Sequence, residues 1–208
     1  MRGLFVALSF VALFAVAQRF AALEVKPNGD SDLDVTTGIY TLLAGGSISD
    51  NRSKLSLSAR YIQYKDGDFI RAREANYQSP EGNFTAATLE YLYGPDTLRM
   101  SGVQIASREL KGLKAQNGLL TKEDILVLKG QVSSSEPALE ASTLVVDTNR
   151  NQALVLGSFS FRQGGATLRG QQANATLLLN FAGGKVQANT RVPAEVLNRL
   201  RPFADRLP

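Results

Sequence analysis

The stretch LKAQNGLLTKEDILVLKGQVSSSEPALEASTLVVDTNRNQALVLG, residues 113–157, carries the reading on which the fold turns. Apolar and polar residues alternate through Leu113-Lys114-Ala115, from Ile125 to Val132, and through Leu139-Glu140-Ala141. Successive side chains of a strand point to opposite faces, so a period of two marks strands with one buried face. Asp147-Thr148-Asn149-Arg150-Asn151 interrupts the alternation with residues that favour turns.

Working outward, the same pattern appears in Leu55–Tyr61 and Thr97–Val103. Turn chemistry recurs at Lys65-Asp66-Gly67-Asp68, Tyr93-Gly94-Pro95-Asp96, Gln163-Gly164-Gly165 and Ala182-Gly183-Gly184. No helical stripe of useful length interrupts residues 36–192, so the body is all-β. It also repeats. Leu57-Ser58-Ala59, Phe84-Thr85-Ala86, Leu113-Lys114-Ala115, Leu139-Glu140-Ala141 and Leu168-Arg169-Gly170 share an apolar–polar–small pattern at spacings of 27, 29, 26 and 29 residues. Each marker leads to a second strand, and three of those strands run into glycine, at Gly102, Gly130 and Gly157. With an initial half-copy at Tyr40–Gly46, about eleven strands are expected, stacked as tandem pairs.

Composition removes most chemistries. The 208 residues contain no Cys and no His, so thiolate nucleophiles, cysteine zinc sites and the usual general base are all excluded. A formal charge of +4, spread along the chain, is not a nucleic-acid signature. No cofactor is expected and no enzymatic activity. Carboxylates fall in turns or in the polar linker: Asp66/Asp68 and Glu123/Asp124 satisfy their own backbone, while Asp30-x-Asp32-x-Asp34 has the spacing of a calcium loop without its glycine and distal glutamate.

The two ends read differently. Met1-Arg2 followed by the apolar run Leu4–Ala17, closing on Ala15-Val16-Ala17, predicts a signal peptide over residues 1–17, cleaved before Gln18 or retained as an anchor. The chain would then work outside the cytoplasm. Residues 18–35 read as a linker, residues 36–192 as the β body and residues 193–208 as a short helical tail that Pro202 cuts after about two turns. That tail is expected to cap or plug one end of the body.

The candidate site is the inward face. The inward set is Leu57, Ala59, Phe84, Ala86, Leu98, Met100, Leu113, Ala115, Leu126, Leu128, Leu139, Ala141, Leu154, Leu156 and Leu168. Small residues at Ala59, Ala86, Ala115 and Ala141 permit two arrangements: a filled core, or an open-sided apolar trough that takes acyl chains. Arg60, Arg71 and Arg73 form either a basic rim for lipid phosphates or an ordinary solvated face.

The cadence from Leu113-Lys114-Ala115 to Leu154-Val155-Leu156-Gly157, with Tyr61, Tyr91 and Asp147 at the middle element, resembles the OstA-like domain of the LptA–LptC family of lipopolysaccharide-transport proteins. The likeness covers about residues 38–192. It implies an open, twisted β-jellyroll, a non-enzymatic carrier whose interior holds lipid acyl chains. The implied partners are lipopolysaccharide or another glycolipid and other β-jellyroll proteins docked by their edge strands, with homo-oligomers as a further option. Two different readings remain beside it: a parallel β-helix acting on polysaccharide, since the repeat length suits one solenoid coil, and a self-assembling structural β protein.

Overall fold

The computed structural model describes residues 23–52, 54–79 and 82–207, so the signal-peptide reading lies outside the described residues. Sixteen strands and one helix follow in order: β1 (Glu24–Pro27), β2 (Ser31–Asp34), β3 (Ile39–Leu42), β4 (Gly46–Asp50), β5 (Leu55–Ala59), β6 (Tyr61–Lys65), β7 (Phe69–Ser79), β8 (Gly82–Leu92), β9 (Thr97–Ala106), β10 (Leu113–Leu120), β11 (Ile125–Ser135), β12 (Ala138–Asp147), β13 (Gln152–Gln163), β14 (Ala166–Gly170), β15 (Thr176–Ala182), β16 (Lys185–Asn189) and α1 (Ala194–Ala204). Every pairing is antiparallel, in one open sheet. A parallel solenoid is thereby overturned, and with it the β-helix reading.

The strand number exceeds the expected eleven because the chain breaks its long strands near both ends of the array. β7 to β13 run unbroken. β5 and β6 are one such strand divided at Arg60, and they pair with the two ends of β7. β14 and β15 divide in the same way and pair with the two ends of β13. β1 and β2 also form strands, on β4 and β3, where a linker was expected. Local alternation does not show such breaks, because both fragments keep the period of two.

A crease crosses the unbroken strands. Glu74 (φ 50°), Gly102 (φ 59°), Gly130 (φ 78°) with Gln131 (φ 49°), and Gly157 (φ 82°) occupy left-handed backbone in β7, β9, β11 and β13. The registers of β10–β11, β11–β12 and β12–β13 slip at this line. Bulges of this kind bend a strand and sharpen its twist, and glycine adopts the required φ without a Cβ penalty. Space is short as well: a Cβ on Gly130 would lie 2.4 Å from Gln116 Oε1, and one on Gly102 3.0 Å from the Ala87 Cβ. The three glycines that end repeats in the sequence, with Glu74, therefore form the bend.

The crease divides the sheet in two. The first half-sheet holds β2, β3, β6, β15 and β16 with one end of each long strand. The second holds β1, β4, β5 and β14 with the other ends. Their inner faces share one continuous apolar cluster, from Ile48, Leu57, Tyr77 and Phe84 in the second half to Ile70, Leu98, Leu128 and Leu179 in the first. Among the described residues, β1, β2, β14 and β16 each keep an unpaired edge.

Gly130→Ala is expected to lower unfolding free energy by roughly 1–2 kcal/mol in urea titrations, the cost of a side chain in left-handed backbone. Gly94→Ala, where φ is ordinary and no heavy atom lies within 4 Å of the added Cβ, should change it by less than about 0.5 kcal/mol. Equal effects would remove the crease as the structural determinant.

Candidate functional site: the inner apolar face

The register sets inner side chains in rows. In the first half-sheet Ile70, Tyr91, Leu98, Leu120, Leu126, Val146, Ala153 and Leu179 are successive partners. In the second, Ile48, Leu57, Tyr77, Phe84, Ile105 and Leu113 follow one another, and the Tyr77 and Phe84 rings stack with centroids 4.6 Å apart. Of the sequence-derived inward set, Leu57, Ala59, Phe84, Ala86, Leu98, Met100, Leu113, Ala115, Leu126, Leu128, Leu139 and Ala141 lie in the inner cluster, and Leu168 packs against it.

Leu154 and Leu156 do not face inward. Leu154 belongs to a second cluster on the outer face of the first half-sheet, and Leu156 packs against that cluster. Their neighbours Ala153 and Val155 hold the inner positions instead. In Ala153-Leu154-Val155-Leu156 both phases of the alternation are apolar, so the sequence pattern does not reveal which one points in. The same two-sided burial explains Ile125–Leu128, Leu144–Val146 and Leu177–Leu179, which read as near-continuous apolar runs because both sheet faces are covered.

What covers the outer face is the C-terminal tail. Helix α1 lays Val196 and Leu200, followed by Leu207, onto Leu119, Ile125, Val127, Val145, Leu154 and Leu178. It lies flat on the sheet rather than plugging an end. It also continues past Pro202 to Ala204: a proline so near the C-terminus removes one backbone bond, and its fixed φ is already helical. The Arg199 guanidinium clamps the helix down, donating to the Asp147 carboxylate and, at 2.8 Å, to Gln152 Oε1. Gln152 Nε2 in turn donates to Asn180 Oδ1 at 3.0 Å. Burial holds Arg199 below the ordinary arginine pKa. Lys129 Nζ donates to the Leu207 carbonyl at 2.8 Å.

The inner face itself is occupied by its own side chains. A Cβ on Gly118 would meet Met100 Cε at 3.0 Å, Val103 Cγ2 at 3.1 Å and Leu128 Cδ2 at 3.4 Å. Leu57, Leu128 and Leu179 are all 0% exposed, so of the two arrangements that the small residues permit, the structure shows the filled one. Sequence reasoning also missed members of this face, among them Tyr77, Ile105, Leu110 and Phe161. Phe159-Ser160-Phe161 carries a readable alternation, whereas Leu110 sits in a loop where periodicity gives no signal.

Polar groups add little chemistry. Arg60 pairs with Glu74 at 3.2 Å and Arg71 with Glu90 at 2.8 Å, while Arg73 lies over the Tyr61 ring, 5.1 Å from its centroid. Two of the three rim arginines are thus neutralised. Asp34 accepts the Thr36 and Thr37 amides and the Thr37 hydroxyl, a turn role in place of a calcium loop. No group of three or more metal-ligating side chains occurs among the described residues. Tyr93 is unusual: its hydroxyl is buried without a hydrogen-bond partner, and burial, with Asp66 and Asp50 adding, pushes its pKa up to about 12.

No protein-family model matches the chain, and no curated protein matches it. Among solved structures it is similar to LptH, described as the LptA homologous periplasmic component of the lipopolysaccharide transport device of Pseudomonas aeruginosa. The two share 12% identity at a TM-score of 0.38, over 84% of this chain and 98% of that one. The class that the coordinates define is an open, creased antiparallel β-sheet with a C-terminal helix on one outer face.

Two measurements probe this arrangement. Arg199→Ala leaves the Asp147 carboxylate, its side chain only 6% exposed, without its cation, and should cost roughly 3 kcal/mol in urea unfolding. Arg199→Ala with Asp147→Asn should recover part of that loss, and strictly additive losses would argue against the clamp. For Tyr93, a folded pKa above the unfolded value of 10.0 means stability is lost as pH rises from about 10 to about 12. Tyr93→Phe should shrink that loss and raise the urea midpoint, and an unchanged alkaline profile would contradict it.

Proposed function

We propose that this protein is a non-enzymatic carrier that shields the acyl chains of lipopolysaccharide, or a related glycolipid, on the inner face of its creased sheet. It works outside the cytoplasm, in the periplasm, and passes its cargo toward the outer membrane. The observation that carries this reading is the continuous apolar face shared by two half-sheets that are joined along the crease and end in unpaired edges. Sheathing an acyl chain there gains roughly 0.8 kcal/mol per buried methylene. The walls meet through side chains alone away from the crease, so parting them exchanges protein–protein apolar contacts for protein–lipid ones at modest cost. The choice of lipopolysaccharide among amphiphiles rests on the sequence resemblance.

Docking to other β-jellyroll proteins, or to further copies of this chain, belongs to the same proposal. The exposed large hydrophobic side chains of the described residues, Leu33, Val35, Tyr40 and Leu43, all lie on or beside the β2–β3 hairpin at one edge of the sheet. Unpaired edges are templates for strand addition. The same patch favours the second reading, a self-assembling structural protein, in which edge pairing is the whole function.

A photo-crosslinking amino acid separates the two. Placed at the inner residue Phe84 or Phe161, it should capture lipopolysaccharide in cells that make it, and placed at the outer residue Gln104 it should not. Native mass spectrometry of the purified protein should show the bound lipid. Lipid-free homopolymers with no crosslink at either inner position would turn the reading to self-assembly.

A further inference from the structure

The segment from Ser107 to Gly112, between β9 and β10, is not a strand, yet it sends a side chain into the core. Leu110 is 0% exposed and belongs to the inner cluster, and its neighbour Glu109 is 6% exposed. Strand residues of that cluster are placed by ladder hydrogen bonds on both sides. Leu110 is held by far less. Its amide donates to Ser107 Oγ at 3.1 Å, and the loop is tied to the β11–β12 turn through Lys111. There the Lys111 amide donates to the Glu136 carbonyl at 2.9 Å, the Ser135 amide to the Lys111 carbonyl at 2.8 Å, and Lys111 Nζ meets the Glu136 carboxylate at 2.6 Å.

Hollows flank this loop. One, of about 420 Å³, lies between the far ends of the two half-sheets, where the β13–β14 turn at Gly164 and the β15–β16 turn at Gly184 come together. Its lining brings the core residue Val186 beside Arg108, Lys111 and Arg162, with Glu109 and Glu136 as the carboxylates among them. Arg108 and Arg162 have no carboxylate partner among the described residues, whereas Lys111 is engaged by Glu136. The other hollow, of about 340 Å³, lies on the outer side of the second half-sheet, lined by Gly112 and the exposed Asn83, Thr85, Gln104 and Lys114, with Phe84, Ile105 and Leu113 beneath them. The loop that carries Leu110 thus stands between a recess that reaches the core residue Val186 and a groove on the outer face.

We infer that the Ser107–Gly112 loop is a removable stopper, and that the mouth it fills admits the apolar chain of an anionic amphiphile. Leu110 holds the place that the chain takes, and Arg108 and Arg162 receive the head group. This deepens the carrier reading and rests on it, since it names where cargo enters a face that is otherwise shut. A leucine tethered by a short loop is a fitting stand-in: its removal costs the burial of one aliphatic side chain and the few bonds at Lys111, while the strand ladders stay intact. Loop opening of this kind sets the rate of ligand uptake in many gated sites.

The test uses the absence of native cysteine. The double variant Lys111→Cys with Glu136→Cys places two thiols across an antiparallel bridge, at a spacing that suits a disulfide. Oxidised and reduced forms then differ only in whether the loop is locked, because both lack the same two charges. Uptake is read by stopped-flow fluorescence of cis-parinarate. The oxidised form should take up the probe roughly tenfold more slowly than the reduced form, and Leu110→Ala, checked for folding by circular dichroism, should take it up roughly threefold faster than the parent. Displacement tests the head group: dodecyl phosphate should compete at a concentration roughly tenfold below that of dodecyltrimethylammonium, and Arg108→Gln with Arg162→Gln should erase the difference. Fast uptake that ignores the lock overturns the stopper and leaves the carrier standing. Equal competition by the two detergents overturns the head-group assignment. No uptake by the parent or by any variant overturns the carrier reading and the stopper together.

Discussion

The left-handed backbone at the middle of alternate long strands is the constraint on which the rest of the structure depends. A flat antiparallel sheet this wide would leave one whole apolar face in water. Bent at Glu74, Gly102, Gly130 and Gly157, the same sheet covers itself, and Phe84 and Leu128 come to share one cluster. Glycine supplies three of these positions because a Cβ there would strain the backbone and strike the neighbouring strand. Near the two ends of the array the chain solves the same problem by interruption, at Arg60 and between Gly170 and Thr176, so each fragment pairs with one half of its long neighbour.

Bending settles only the inner face. The first half-sheet also carries Ile125, Val127, Val145, Leu154 and Leu178 on its outside, and these would be an adhesive patch without α1. The Arg199–Asp147–Gln152 clamp gives the helix a fixed seat, because a buried carboxylate and a guanidinium that satisfy one another tolerate few alternative positions. With that patch covered, the exposed large hydrophobic side chains among the described residues are those of the edge hairpin, Leu33, Val35, Tyr40 and Leu43.

A carrier and an ordinary β-sandwich do not differ in the composition of their cores. In either, the two walls meet through interdigitated side chains. Here the walls share backbone hydrogen bonds only along the crease, and away from it the contact is side chain on side chain, with Leu110 inserted where the far ends meet. A closed barrel of the same residues would have to break ladders to admit anything. An unclosed sheet exchanges only dispersion and hydrophobic contacts, which a lipid chain supplies equally well.

The alternation of Leu113-Lys114-Ala115, the turn residues between strands and the recurrent Gly102, Gly130 and Gly157 determined, from the sequence alone, that the chain is an all-β array of tandem strands with an aliphatic inner face, whereas their antiparallel pairing came from the tertiary structure. Most of the inner positions were legible for the same reason: where one phase is apolar and the other polar, a period of two assigns the faces without further information. Only the tertiary structure decided the rest. Ala153-Leu154-Val155-Leu156 is apolar in both phases, and its orientation depends on a helix some forty residues later in the chain. The breaks at Arg60 and before β15, the strands in the supposed linker, and the burial of Leu110 depend likewise on which remote strand or turn stands opposite. Alternation records that a residue is buried or exposed locally, whereas the surface that buries it is supplied by distant chain, and no local pattern encodes that.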